Sequence, residues 1–128
     1  MKILSLILRI LLILLLAMPI AGALKLFPEP TADMYTPEGW AFISALMNTG
    51  YMMPLMTLTN AACLVMVLLR RTALAAIVLL PFTINVIAFH LFLDSAPISA
   101  AATPAYVLVA LNAYFLWENW GKYRSMWA

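Results

Sequence analysis

The chain has 128 residues, of which 66% are hydrophobic and 9% charged, with a formal net charge of +2. Soluble domains average about 45–50% apolar and about 25% charged residues. The composition therefore excludes an ordinary soluble fold and, with a mean hydropathy of +1.03, points to a protein embedded in lipid. The basic residues, 7 in all and dispersed, are too few for a nucleic-acid surface.

In hydrocarbon only helices and closed barrels satisfy every backbone group. No segment shows the alternation of a barrel strand, so the expected class is all-α: a polytopic membrane four-helix bundle forming one domain over residues 1–128. The first span covers about 3–26 and carries Arg9 inside its apolar run. The next charge-free block, 39–69, has 31 residues. That is too long for one upright span and too short for two. Its front reads as a short interfacial helix over about 37–48. Thr36 is placed as N-cap, Pro37 in the first turn and Glu38 at the positive helix end. Trp40, Ile43 and Met47 share one face, and Gly50 is the stop. The second span then runs over about 53–70, with Pro54 tolerated in its first turn. The third covers about 72–94. Pro81 in its middle cannot donate to the Ile77 carbonyl, which predicts a kink. The fourth covers about 104–121.

Lys2, Arg9, Arg70, Arg71, Lys122 and Arg124 fall on one side of such a bundle and Lys25 alone on the other. Six basic residues against one make a positive-inside pattern with both termini in the cytoplasm. Trp117, Trp120, Tyr123 and Trp127 form the expected inner aromatic belt, and Trp40, Tyr51 and Tyr106 the outer one. Lys2, the apolar run and Ala21-Gly22-Ala23 imitate a cleavable secretory signal. Arg9, which interrupts the front of that run, argues for a retained helix.

Polar side chains at membrane depth carry a desolvation cost and are the informative ones. Asn60, Asn85 and Asn112 fall at similar depths on the second, third and fourth spans. They read either as contacts holding helices together or as a polar ring around a small ligand or lipid headgroup. His90 and Asp94, i and i+4, share a face. A structural pair, a proton or quinone hydrogen-bonding role, and a metal are all open, although two ligands fall short of the usual three or four. Met52, Met53 and Met56 near the same end raise Cu(I), against which packing is the simpler reading. No metal site is expected. Two ion pairs are expected across the bundle: Arg9, facing its interior, within salt-bridge or one-water reach of Glu118, and Lys25 with Asp94 on the outer side. The single Cys63 reads as a small core residue.

These residues also carry a resemblance. Arg9 followed by Gly22-Ala23-Leu24-Lys25-Leu26-Phe27, then Thr49-Gly50-Tyr51 with Pro54, and then Pro81 to Asp94 in the pattern P-x-x-x-N-x-x-x-F-H-x-F-L-D, resemble the DoxX family of small bacterial membrane proteins. The likeness covers most of residues 9–94. It departs in the second span, where the family often carries a glutamate and this chain has Asn60.

The resemblance implies a protein of the bacterial cytoplasmic membrane associated with redox systems. Members include a thiosulfate:quinone oxidoreductase subunit and partners of thiol and superoxide enzymes. The expected function is a redox-associated subunit holding a quinone or lipid-like molecule, with homo-oligomer or redox-enzyme partners. A non-catalytic assembly subunit and an oligomeric small-molecule transporter are the alternatives. No cofactor or catalytic motif is present, so no activity of its own is expected.

Overall fold

The computed structural model describes residues 2–93 and 102–126. Helices dominate the described residues, which contain no strand. Helix α1 spans Lys2–Ala23, and a single 3-10 turn, Ala32–Met34, leads to α2, Pro37–Asn48. Then come α3 (Met52–Leu68), α4 (Thr72–Phe92), α5 (Thr103–Glu118) and the one-turn α6 (Trp120–Tyr123), closed by a 3-10 turn over Arg124–Met126.

Local chemistry explains the boundaries. Thr36 caps α2, its Oγ1 accepting from the Gly39 N–H at 3.0 Å, with Pro37 in the first turn. Gly50 follows the end of α2 with φ +77°, a left-handed turn that costs glycine little. The chain then swings by 86° into α3. Two other helices close on left-handed residues that are not glycine: Lys25 and Arg70, both with φ 60°. Each sits in a double-bonded C-terminal turn. Leu26 N–H reaches the Ala21 carbonyl and Lys25 N–H that of Gly22, both at 3.0 Å. Arg71 N–H reaches Met66 at 2.7 Å and Arg70 N–H reaches Val67 at 3.0 Å. These bonds satisfy end carbonyls that would otherwise be orphaned.

Helix α1 packs on α3 and α5, α3 packs on α4, and α4 packs on α5. The core between them is Leu12 and Leu16 of α1, Cys63 and Val67 of α3, Ala75, Ala76 and Leu79 of α4, and Leu108, Leu111 and Phe115 of α5. Small residues on α3 and α4 let those backbones approach. The outside is apolar too: Ile7, Leu58 and Ile84 are 54%, 65% and 57% exposed. Such faces fit a lipid surround rather than water. Helices α1 and α4, 22 and 21 residues long, are long and apolar enough to cross a bilayer. Helices α2 and α3 meet that measure only together, as a bent pair. Helix α5 has 16 residues, about 24 Å of rise, short of the ~30 Å hydrocarbon core.

Helix α4 holds Pro81 in its interior and runs from Thr72 to Phe92. Two expectations change. The expected fourth span stops at Glu118, because Asn119 breaks the helix before α6. Tyr123 is not a belt residue. It is 4% exposed and its hydroxyl donates to the Ala73 carbonyl at 2.6 Å. Nearby, Asn119 Nδ2 donates to Thr72 Oγ1 (3.3 Å) and to the Phe115 carbonyl (2.8 Å), and Lys122 Nζ donates to Asn119 Oδ1 (2.9 Å). This network pins the end of α5 to the start of α4. In the sequence, only its place next to a helix end marks Asn119.

Candidate site between the helices

A cavity of about 190 Å³ lies where all four long helices meet. Leu15, Leu16, Met18 and Pro19 come from α1, Asn60 from α3, Phe82, Val86 and His90 from α4, and Pro104, Ala105 and Leu108 from α5. Two expected site residues, Asn60 and His90, therefore share one apolar chamber. Pro19 has no N–H to offer the Leu15 carbonyl. It is a second proline inside a helix, in addition to Pro81 of α4.

Asn60 is 1% exposed. Its Nδ2 donates to the Met56 carbonyl at 2.8 Å, one turn back on α3. A carbonyl accepts only from a donor, so this bond fixes the orientation of the carboxamide. The atom left over is Oδ1, which is buried and has no hydrogen-bond partner. Such an atom carries a desolvation cost until a donor reaches it. His90 is partly buried. Its ring stands edge-on to Phe89 at 5.3 Å between centroids, and Phe89 in turn packs on Tyr35 and Phe42.

The other candidates are not in this chamber. Asn112 is buried, but its Nδ2 donates to the Ala76 carbonyl at 3.0 Å, tying α5 to α4. Asn85 is exposed beside Ile84, on the outer face of α4. Of the two readings of these carboxamides, the ring of three is thus not formed, because α4 turns Thr83 inward and Asn85 outward. Asp94 lies outside the described residues, and with it both the His90–Asp94 and the Lys25–Asp94 pairings. Arg9 and Glu118 line one common cavity at the end where α1 begins. No ion pair joins them, and Arg9 Nε has no hydrogen-bond partner. The direct salt bridge is not formed: Glu118 is exposed while Arg9 is half-buried. Among the described residues no three His, Cys, Asp or Glu side chains gather as a metal site.

A wider groove of about 730 Å³ adjoins the chamber, sharing Pro19 and Phe82 as walls. Its lining is mostly apolar, with Met53, Pro54, Met56 and Leu58 of α3 along one side. Comparison with family models, curated proteins and solved structures gives no match.

Proposed function

We propose that the chain is a DoxX-like subunit of the bacterial cytoplasmic membrane that holds a quinol-type molecule between its helices. In this reading α1, α3, α4 and α5 form a four-helix membrane bundle, α2 lies along the outer interface, and both termini face the cytoplasm. The positive-inside distribution of basic residues and the 86° bend between α2 and α3 support that topology.

The observation that carries the ligand is the unpartnered Asn60 Oδ1 in a chamber shared with His90. An acceptor needs a ligand with an O–H or N–H donor. A quinol ring supplies one, and a fully oxidised quinone does not. A 190 Å³ space is below the ~300–1,000 Å³ of whole drug-sized ligands and suits a ring headgroup. The adjoining groove suits an isoprenoid tail. Asn60 keeps the acceptor character of the family's glutamate without its charge. The protein then positions the ring, and a partner redox enzyme supplies the electron transfer.

The test is titration of the purified chain with a short-tailed quinol and with its quinone. Tighter binding of the quinol, weakened about tenfold or more by Asn60→Leu through loss of a buried hydrogen bond, is the expected result. Equal binding of both forms, indifferent to Asn60→Leu, overturns it.

A second reading, a non-catalytic assembly subunit, is favoured by Asn85. An exposed carboxamide on a lipid-facing helix gains from a polar group on another chain. With Cys63 buried, Asn85→Cys would add one accessible thiol. Disulfide-linked dimers in native membranes would support this reading.

A further inference from the structure

The cavity shared by Arg9 and Glu118 has a volume of about 670 Å³ and is lined by three basic side chains, Lys2, Arg9 and Arg70, against the single acid Glu118. Lys2, Ser5, Leu6 and Arg9 recur at helical spacing and so form one face of α1. Arg70 comes from the turn between α3 and α4, and Trp117 from the end of α5. A site built from three separate elements, with an excess of two positive charges, is not one helix end. A cation held partly inside it, with a buried donor unused at Arg9 Nε, favours an anion with several oxygens.

The walls define what kind of anion. Leu6 lines the cavity and is 51% exposed, so the wall continues onto the outward apolar face of α1, where Ile3, Ile7 and Ile10 are 74%, 54% and 49% exposed. Trp117, 68% exposed, stands at the rim, and tryptophan favours the headgroup level of a membrane. A phosphate in the cavity would have hydrocarbon immediately beside it.

We propose that this cavity binds the phosphate of an anionic phospholipid, with Arg9 and Arg70 as its donors and the acyl chains lying along α1. The site is distinct from the Asn60–His90 chamber and rests only on the membrane-embedded part of the reading above. Arg70 gives a clean handle. Its backbone is left-handed, φ 60°, where glycine is the unstrained residue. Arg70→Gly therefore removes a cation without harming, and even easing, the helix end.

The experiment is native mass spectrometry of the full chain in detergent with phosphatidylglycerol, with phosphatidylcholine of the same acyl chains, and with inorganic phosphate. Flotation with phosphatidylcholine vesicles runs alongside. The expected result is preferential retention of phosphatidylglycerol, reduced about fivefold by Arg70→Gly at unchanged or higher thermal stability, and again by Arg9→Gln. Glu118→Gln should strengthen it. Equal retention of both lipids, or no change in Arg70→Gly, overturns the proposal while leaving the membrane reading intact if the chain floats. Inorganic phosphate that saturates the site and displaces the lipid assigns it to a soluble anion and overturns the lipid. A chain that fails to float overturns both readings.

Discussion

Asn112 on α5 donates its Nδ2 proton across the helix interface to the backbone carbonyl of Ala76 on α4, 3.0 Å away. The bond leaves Asn112 Oδ1 buried without a partner, so the side chain gives with one atom and costs with the other. Interhelical hydrogen bonds in membranes average only ~0.6 kcal/mol. Asn112→Leu removes both atoms together and should change stability by less than about 1 kcal/mol. Asn112→Asp should cost about 2–3 kcal/mol, since a carboxylate oxygen would then face the Ala76 carbonyl. Unfolding by SDS in mixed micelles measures both.

Thr36 holds α2 against the end of α4. Its Oγ1 accepts from Gly39 N–H and donates to the Leu93 carbonyl at 2.5 Å. Thr36→Val keeps the shape and loses both bonds. Loss of the cap alone costs about 1 kcal/mol. The effect should be local, with faster hydrogen exchange in the first turns of α2 and unchanged exchange in α1. Thr36→Ser should restore protection.

Gly39→Ala should destabilise although alanine is the better helix former by ~1 kcal/mol. An added Cβ would meet Thr36 Oγ1 at 3.0 Å, the Leu93 carbonyl oxygen at 3.3 Å and Phe89 Cζ at 3.4 Å. The Thr36 hydroxyl and the Leu93 carbonyl, bonded to each other where α2 meets α4, would have to give by a few tenths of an ångström. By contrast, a Cβ at Gly22 meets nothing within 4 Å, so Gly22→Ala should be neutral or stabilising. Thermal melts of the two variants should shift in opposite directions or leave only Gly39→Ala lowered.

Tyr123→Phe removes the bond to the Ala73 carbonyl. The expected loss is about 1 kcal/mol, felt where α6 lies against α4. Trypsin should then cut faster after Lys122 and Arg124, with no change at Arg9.

The absence of an ion pair between Arg9 and Glu118 also has a measurable consequence. Their coupling in a double-mutant cycle, Arg9→Leu with Glu118→Leu, should stay below about 1 kcal/mol, as for an exposed pair. A coupling of about 3 kcal/mol or more, typical of a buried pair, would show that the two close on each other in the membrane.

Composition and local chemistry in the sequence determined the kind of protein and most helix ends. Thr36, Pro37 and Gly50 bound α2 because capping acts over three or four residues and is written in the chain itself. The apolar stretches placed α1 and α4, since their exclusion from water needs no knowledge of neighbours. Helix rotation was different. Helix α4 is apolar nearly all round, so no polar face marks its outward side. Asn60, Asn85 and Asn112 look alike in sequence, yet only packing buries the first and last and turns Asn85 outward. The same holds for the two spaces that share Pro19 and Phe82 as walls and for the cavity lined by Arg9 and Glu118. Each depends on where four helices stand relative to one another, which is decided by side-chain volumes such as those of Ala75 and Ala76 against Leu79 and Phe115, not by any residue's own preference.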